Sequence, residues 1–564
     1  MPSAHDIITV TMRKGLFLVL LGGILAVAIF LRLYKLGTIP YSLYWDEAAM
    51  FVDVKSVLAT GRDMHNRPWY QVIYPSYGDF KLPAYIWVAT LSAKTFGFSE
   101  WSLRLPSVLA GLGTILLAGV LAKSFAKTLK PHVVQLVAMT IVAVSPWSIL
   151  FSRTGFEGHL GQFLLALSVW CIFASKKRWW LIILAAFFGA AATYSYFSVR
   201  FVWVVVFVLV TLYVYRDQLT FSKKSLPLTL KMFVLPLIVF SVLLVPMLKS
   251  PLYNDANRFR LGTDSILNTD NQVNQANVFR EMAGNTRTDR VLFHPLWLTG
   301  EALLKNYSDN LNPNFLFITG DPNLRHGTGQ QGLFLWPLLP FLLIGLYYFF
   351  TRDKFAFLVL ILWWLVALLP ASVPLNTPHA LRSLNALVPL AILLGAGVSF
   401  GYEKILTFKF GRATMIGYAV IFLFAATEFS YNYFTLYPRT SAKDWQDGYK
   451  QLAQAIFATQ KNGQKVFVLP FDDRFYLWLM AYGPYTGQDF HNWKSRDYKF
   501  EDSVPNITSQ IPDKSNLMQP TLVAAEPNRF QELLPSFGVK PIQVQEIHGS
   551  DGTVRFVLAS FGPQ

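Results

Sequence analysis

Long apolar runs, separated by short basic or polar stretches, dominate the first 436 residues of the chain. A helix needs roughly 20 mostly apolar residues to cross a hydrocarbon core of ~30 Å, and twelve runs approach that length. They lie near residues 15–33, 82–97, 104–123, 132–151, 156–175, 179–195, 198–215, 229–248, 332–350, 355–372, 381–401 and 412–430. Two long polar stretches, 34–81 and 249–331, interrupt them. The pattern predicts an α-helical polytopic membrane protein.

Residues 437–564 have a different pattern. Short apolar runs of the strand type alternate with helical patterns such as DWQDGYKQLAQAIFATQ. The predicted strands are KVFVLP, TLVAAE, KPIQVQEI and VRFVLAS. This alternation predicts a small soluble α/β domain, so we divide the chain into a membrane domain (1–436) and a C-terminal domain (437–564). The aromatic stretch RFYLWLMAYGPYTGQDFHNW could stack on sugar rings, but core packing is the favoured interpretation.

The basic residues predict the orientation of the membrane domain. The run 82–97 is short and carries Lys94 near its end. If it lies at the outer surface without crossing, five basic loops all fall on the cytoplasmic side, as the positive-inside rule requires. These loops contain Lys123/Lys127/Lys130, Lys176/Lys177/Arg178, Arg216/Lys223/Lys224, Arg352/Lys354 and Lys404/Lys409/Arg412.

This arrangement predicts about eleven transmembrane helices with the N-terminus in the cytoplasm. The outer loops are then 34–103 and 249–331, and the C-terminal domain is extracytoplasmic. The first apolar run is expected to be an uncleaved signal anchor in the plasma (inner) membrane, because no small-residue cleavage site follows it.

Composition agrees with a bilayer environment: 53% of residues are hydrophobic and only 15% are charged, against about 25% charged residues in soluble domains. The net charge of +16 could indicate a nucleic-acid partner. Most basic residues, however, lie in short loops between apolar runs, where they attract anionic lipid. Membrane lipids are therefore the expected partner, and no nucleic acid is expected. The single cysteine, Cys171, lies in an apolar run and cannot form an internal disulfide.

The first outer loop contains an acidic pair, Asp46 and Glu47, in the motif YWDEAAM. One interpretation is that Asp46 caps the helix that the following residues predict. The other is that it acts as a general base, since an acceptor hydroxyl must lose its proton as it attacks. The sequence does not decide whether Glu47 could take this role instead.

Lys81 follows in the motif SYGDFKLPAYIW, at the start of the predicted surface segment. It could extend to lipid headgroups. It could equally bind the phosphate of a lipid-linked substrate through charge-assisted hydrogen bonds.

Charged and imidazole side chains also gather in the other outer loops. The short loop SPWSILFSRTGFEGHLG contains Arg153, Glu157 and His159. The second long loop ends with Arg325 and His326, and PLNTPHALRSLN contains His379 and Arg382. Each could be an interfacial anchor, but together they suit a site for an anionic headgroup. The proposed substrate-binding set is Lys81, Arg153, Arg325, His326, His379 and Arg382.

The membrane part resembles the GT-C superfamily of glycosyltransferases, and within it family 39, which includes protein O-mannosyltransferases and the lipid A aminoarabinose transferase. The resemblance rests on the acidic pair, on the lysine–proline step near Lys81, on the RLP step at 104–106 and on the second long loop. It implies that Asp46 is the catalytic carboxylate, Lys81 the ligand of the carrier phosphate and Glu157 a second acidic residue of the site. The catalytic set is therefore Asp46, Glu47 and Glu157.

The resemblance also implies an activity. A hexosyl or pentosyl unit would pass, with inversion, from a polyprenyl-phosphate donor to a glycan, lipid or protein acceptor on the outer face. No metal ligand is assigned and no metal is obligatory in the family, although a divalent ion is left open. The alternatives are a lipid-linked glycan transporter or flippase and a non-catalytic partner in glycan assembly.

Overall fold

The computed structural model describes residues 14–218, 226–262, 265–267, 269–461, 463–469, 471–485 and 506–563. Lys223 and Lys224, two residues of the predicted basic loops, lie outside these ranges.

Helices make up most of the membrane part, and twelve described ones lie before the second long loop or at its start. They are α1 (Lys14–Leu33), α2 (Trp45–Thr60), α3 (Pro83–Phe96), α4 (Glu100–Phe125), α5 (Pro131–Val144), α6 (Pro146–Ser152), α7 (Glu157–Ala174), α8 (Leu181–Ser195), α9 (Val199–Tyr215), α10 (Leu226–Thr229), α11 (Leu235–Leu248) and α12 (Tyr253–Gly262). The rest are α13 (Thr269–Ala283), α14 (Arg287–Leu292), α15 (Pro295–Leu311), α16 (Leu339–Arg352), α17 (Lys354–Ser372), α18 (Leu387–Ile405), α19 (Gly411–Tyr431) and α20 (Tyr437–Thr440).

The predicted polytopic helical fold is confirmed, but the number of long spans is smaller than eleven. Among the described residues, seven helices are long and apolar enough to cross a membrane, or eight if α5 and α6 form one span. Those two are bent by 60° at Ser145–Pro146, where a proline cannot continue the helix. The predicted run 132–151 is therefore two helices.

The other three predicted spans are shorter helices. α8 and α9 have 15 and 17 residues, because the residues between them form a turn rather than helix. α16 has 14 residues and is preceded by a 3₁₀ turn, Trp336–Leu338. The surface segment 82–97 forms α3, also of 14 residues, or about 21 Å at 1.5 Å per residue.

Packing divides the helices into central and peripheral ones. Among the long apolar helices, α18 is the most enclosed, with 89% of its most apolar 18 residues buried. The corresponding values for α1, α11 and α19 are 17%, 17% and 11%. The backbones of α16 and α18 touch closely at glycines, since a Cβ on Gly397 would meet the Phe341 carbonyl oxygen at 1.9 Å. Small residues allow this approach in membrane bundles.

Three of the predicted basic loops meet at one end of the bundle. Arg216, after α9, bonds to Asp353, before α17, at 2.9 Å. Tyr213 donates a hydrogen bond to the same carboxylate at 3.2 Å, and the Lys127 ammonium lies 5.1 Å from the Tyr213 ring centroid. The loops after α4, α9 and α16 therefore share one side, as the charge pattern predicted.

The C-terminal segment contains a five-stranded sheet, which confirms the predicted α/β fold. The strands of this sheet are β3 (Lys465–Val468), β4 (Ile507–Thr508), β5 (Thr521–Ala525), β6 (Gln543–His548) and β7 (Val554–Phe561). Two earlier strands, β1 (Tyr74–Pro75) and β2 (Phe80–Lys81), form a separate short hairpin. The order is β4-β3-β5-β7-β6, with β3 parallel to β4 and β5, and β7 antiparallel to β5 and β6. The helices are α21 (Tyr449–Thr459), α22 (Tyr476–Tyr482), α23 (Lys514–Leu517) and α24 (Pro527–Phe537).

The C-terminal segment packs directly on the first long loop, which was predicted to be an outer loop. α22 is almost wholly buried and shares one apolar cluster with α2 and α3. The Lys55 ammonium donates to backbone carbonyls at the end of α22, those of Met480 and Gly483, at 2.9 and 2.8 Å. The buried aromatic residues of α22 therefore form core, as favoured above. Residues 486–505, which include the rest of that stretch, lie outside the described residues.

Candidate active site

An ion pair between Asp46 and Lys81 forms the centre of the site. Asp46 lies in the first turn of α2, and Tyr44 rather than Asp46 is the N-cap residue, so the capping interpretation is wrong. Lys81 lies on β2, which pairs with β1 so that Lys81 is opposite Tyr74. Gly78, with a φ of +83°, forms the tight turn between the two strands. The hairpin thereby returns Lys81 to the start of α2.

Among the described residues, the hydrogen-bond donors to the Asp46 carboxylate are Tyr44, Tyr77 and Lys81, all in the segment between α1 and α3. One oxygen accepts hydrogen bonds from the Lys81 ammonium and the Tyr77 hydroxyl. The other accepts one from the Tyr44 hydroxyl. Lys81 also bonds to Asp79 at 2.8 Å. The side chain of Lys81 is 3% exposed and that of Asp46 19%, so the pair opens toward solvent on the carboxylate side.

The electrostatics of the pair follow from these contacts. Burial would raise the pKa of Asp46, but the Lys81 charge and the hydrogen bonds from Lys81, Tyr44 and Tyr77 outweigh it and lower the pKa to about 2. Burial would lower the pKa of Lys81, but the carboxylates of Asp46 and Asp79, with smaller effects from Tyr77 and Glu157, raise it well above its ordinary value. Both groups are therefore charged at neutral pH.

Glu157 begins α7 beside this centre. Its side chain is buried, and its charge contributes to the raised pKa of Lys81. The structure thus brings together Asp46, Lys81 and Glu157, three residues that the resemblance named as site residues.

Glu47 was predicted to belong to the catalytic set, but its contacts favour a structural role. Its two oxygens accept a paired hydrogen bond from the Arg104 guanidinium, both at 2.9 Å, and both side chains are 0% exposed. The Gly155 amide also donates to Glu47 at 2.6 Å. Because its carboxylate is enclosed and fully paired, Glu47 holds α2, α4 and the α6–α7 loop together. Arg104, the arginine of the RLP step, is therefore the partner of Glu47 in this buried pair.

Glu47→Gln should therefore act on stability. It leaves the buried Arg104 charge without its counter-ion, and breaking a buried pair costs about 3–5 kcal/mol. Denaturant unfolding of the purified protein in micelles, followed by tryptophan fluorescence, measures this. The control is Glu532→Gln, which breaks an exposed pair with Arg529 and should cost no more than about 1 kcal/mol. Equal losses for the two variants would contradict the structural role of Glu47.

Arg153 was predicted to bind substrate, but in the structure its guanidinium is bound to backbone carbonyls. It is 0% exposed, and its guanidinium donates to four backbone carbonyls at the end of α1, those of Leu31, Arg32, Lys35 and Ile39, at 3.0–3.2 Å. Basic side chains often satisfy the unpaired carbonyls at a helix C-terminus. His159 in the same region is also buried, with Nδ1 3.4 Å from Ser152 Oγ.

Arg325 contacts the two aromatic residues that precede Asp46 in the chain. Its guanidinium carbon lies 4.3 Å from the Trp45 ring centroid and 5.6 Å from that of Tyr44. Arg474, at the start of the C-terminal domain's aromatic stretch, lies 3.8 Å from the same Trp45 ring. Trp45, which immediately precedes Asp46, is thus in contact with two arginines from distant parts of the chain.

The remaining predicted residues form a second group beside Arg325. His326 and His379 have stacked rings with centroids 4.6 Å apart, and His326 Nδ1 lies 3.5 Å from Asp321 Oδ2. Arg382 follows His379 by three residues, and its backbone amide is 3.5 Å from His379 Nδ1. Burial, His326, Arg382 and Arg325 together hold the pKa of His379 well below its ordinary value.

Sequence reasoning missed the two tyrosines that bind Asp46 and the arginine from the C-terminal domain. A signal existed for Tyr44 and Tyr77, since both lie within the quoted motifs beside Asp46 and Lys81. Arg474 had no such signal, because its contact with Trp45 joins residues more than 400 positions apart.

Comparison with known proteins agrees with this fold. The family model described as dolichyl-phosphate-mannose-protein mannosyltransferase matches residues 81–245. YkcB of Bacillus subtilis (strain 168), named provisionally as a mannosyltransferase, is 33% identical over 99 residues, which cover 17% of this chain and 13% of YkcB. The chain therefore aligns with only about an eighth of the length of that relative.

Solved structures extend the similarity to nearly the whole chain. ArnT from Cupriavidus metallidurans in the apo state superposes with a TM-score of 0.54 at 13% identity, covering 98% of this chain and 99% of ArnT. The same protein bound to undecaprenyl phosphate gives 0.53 at 12% identity, covering 98% and 100%. The oligosaccharyltransferase AglB from Archaeoglobus fulgidus, in complex with an inhibitory peptide and a dolichol-phosphate, gives 0.50 at 12% identity, covering 97% and 74%. The chain therefore shares the fold of these structures, and the GT-C-like fold that the resemblance implied is confirmed.

Proposed function

We propose that the protein transfers a hexosyl or pentosyl unit from a polyprenyl-phosphate carrier to an acceptor at the outer face of the membrane. The observation that carries the proposal is the enclosed ion pair of Asp46 and Lys81 beside the surface helix α3. A cation held there by a carboxylate is available to a competing anion, and a lipid phosphate at the membrane surface is such an anion.

Donor binding would also activate the carboxylate. With Lys81 as its partner, Asp46 has a pKa of about 2 and is a weak base. When the Lys81 ammonium binds the carrier phosphate instead of Asp46, the Asp46 carboxylate loses the positive charge that stabilises its ionised form. The carboxylate remains buried. Its pKa then rises, because burial favours the neutral form of a carboxyl group. The base therefore gains strength only when the donor is in place.

The transfer step then needs no further group. An acceptor hydroxyl attacks the anomeric carbon as the bond from that carbon to the phosphate oxygen breaks, which inverts the configuration. The hydroxyl proton passes to Asp46, and the bonding electrons leave with the carrier phosphate. Lys81 stabilises the charge that develops on that phosphate. Arg325 and Arg382 would add positive charge at the rim, and Glu157 would help to keep Lys81 protonated.

The relatives and the lipid-facing helices support a polyprenyl carrier. ArnT binds undecaprenyl phosphate and AglB was solved with a dolichol-phosphate, two polyprenyl phosphates of this class. Large apolar side chains of the peripheral helix α11, such as Ile238 and Val242, are exposed and offer a surface for an isoprenoid chain. The acceptor stays open between a glycan, a lipid and a protein.

A transporter or flippase is less well supported. Proton- or ion-coupled transport usually places titratable residues at mid-depth in the spans, whereas the charges of this chain gather at the outer rim. A non-catalytic partner would not need a carboxylate held next to a phosphate-binding lysine. Both alternatives predict that the donor remains intact.

Mass spectrometry of lipid-linked sugars and surface glycans in cells with and without the protein tests the proposal. We expect one polyprenyl-phosphate sugar to accumulate in cells that lack the protein and one surface glycan modification to disappear. Unchanged profiles of both would contradict the proposal.

The proposed orientation in the plasma (inner) membrane has its own test. Single cysteines at positions 60 and 270 should react with an impermeant thiol reagent from outside, and those at 127 and 177 should not. Cys171, which is buried, would be replaced by alanine in the background protein. Labelling of position 127 from outside would mean that residues 82–97 cross the membrane and that the loops up to the second long one are inverted.

A further inference from the structure

A cluster of metal-ligating side chains lies where the second long outer loop meets the loop before α18. Asp321, His326 and His379 each offer one ligand atom, and these atoms all lie within 4.8 Å of one another. The shortest such separation given above, His326 Nδ1 to Asp321 Oδ2, is 3.5 Å. Ligand atoms around one tetrahedral zinc ion lie about 3.4 Å apart, since zinc–nitrogen and zinc–oxygen bonds are ~2.1 Å. One pair is thus already near the required spacing, and no pair needs to close by more than about 1.4 Å.

The backbone holds these side chains in position. Each oxygen of Asp321 accepts one backbone hydrogen bond, from the Ala380 amide and the Asn323 amide, both at 2.8 Å. The amide of His379 donates to Asn310 Oδ1 at 3.0 Å. Gly320 has a φ of +76°, and a Cβ there would meet the Gln331 carbonyl oxygen at 2.4 Å. Such fixed partners orient the ligands of metal sites.

The ligand types of the cluster suit a divalent metal, although two arginines lie near it. Arg325 and Arg382 oppose a cation here, and the Asp321 carboxylate offsets part of that repulsion. Two imidazoles and one carboxylate suit Zn²⁺, and three protein ligands leave a position for an oxygen ligand.

We propose that Asp321, His326 and His379 bind one divalent transition-metal ion, Zn²⁺ by preference, which joins the second long outer loop to the loop before α18. The site gives a metal-binding role to His326 and His379, which the sequence analysis assigned only to substrate binding. Arg325 is next to His326 in the chain. The ion would therefore hold in place the loop from which Arg325 contacts Trp45. The proposal does not depend on the sugar-transfer activity.

Zinc binding by the full-length protein tests this directly. The protein, purified in detergent and stripped with a chelator, is dialysed against buffered Zn²⁺, and the bound metal is counted by plasma mass spectrometry. We expect one equivalent for the wild type. His326→Ala and His379→Ala should each weaken binding by at least about a hundredfold, beyond the 10–100-fold typical of outer-shell partners.

His548→Ala is the matched control. Its Nε2 lies 3.5 Å from Glu546 Oε2, the same histidine–carboxylate spacing, but no third ligand completes a cluster there among the described residues. Its zinc affinity should equal that of the wild type. Co²⁺ gives a second measurement on the wild type, with visible absorption bands that Zn²⁺ abolishes. Binding of less than one equivalent at micromolar zinc, or wild-type affinity in His379→Ala, would overturn the proposal.

Discussion

Asp46→Asn is expected to lower turnover by about 10²–10⁴-fold, the usual value of general-base assistance. Asparagine keeps the size of the side chain and can still accept hydrogen bonds from Tyr44 and Tyr77, but it cannot take the acceptor proton. The measurement is turnover in membranes that contain equal amounts of each variant.

Asp270→Asn serves as the control, because Asp270 is an exposed residue of α13 and its turnover should match the wild type. Both oxygens of Glu47 are bound to the buried Arg104, so we expect Asp46 rather than Glu47 to be the base. Near-normal turnover of Asp46→Asn would therefore mean that the first long loop does not supply the general base.

Lys81→Met should weaken binding of the carrier phosphate by roughly ten- to 150-fold. Methionine keeps an apolar stem in the enclosed position but loses the charge-assisted bonds, which contribute about 1.5–3 kcal/mol, at 1.4 kcal/mol per factor of ten. Lys81→Arg should recover only part of the loss, because a planar fork does not replace a compact ammonium. Calorimetric titration with undecaprenyl phosphate in detergent micelles measures the affinity.

Lys94→Met is the matched control for Lys81→Met. Lys94 is exposed in the last turn of α3, the same helix that Lys81 precedes, and its substitution should leave the affinity unchanged. If both variants bind undecaprenyl phosphate as tightly as the wild type, Lys81 is not the phosphate ligand. Arg325 and Arg382 would then be the residues to test, whereas Arg153, whose donors face backbone carbonyls, would not.

The sequence predicted the elements of this site better than the roles of its charged residues. Asp46 and Lys81 lie within short motifs between predicted membrane helices, so the sequence could place both near the membrane surface. Glu47 and Arg153 were assigned to the site because a sequence shows that a residue is charged but not where its side chain points. Both proved to satisfy buried partners, Arg104 and the end of α1.

The prediction of the membrane helices from the sequence had similar limits. Apolar runs locate helices well, but a run such as 132–151 does not show by hydropathy alone that it bends, although Pro146 marks the position. Contacts between distant segments, such as that of Arg474 with Trp45, depend on how the C-terminal domain packs and leave no local pattern. The cluster of Asp321 with His326 and His379 joins two loops in the same way.

Donor cleavage in membranes that contain the native acceptors tests the central claim most directly. A panel of synthetic polyprenyl-phosphate hexoses and pentoses is supplied to membranes with the wild type or Asp46→Asn, and released polyprenyl phosphate is measured by mass spectrometry. The account predicts release from one donor in wild-type membranes, with an equal amount of sugar on an acceptor, and a release rate at least about a hundredfold lower with Asp46→Asn. Equal release in the two membranes, or none from any donor in wild-type membranes, would contradict it.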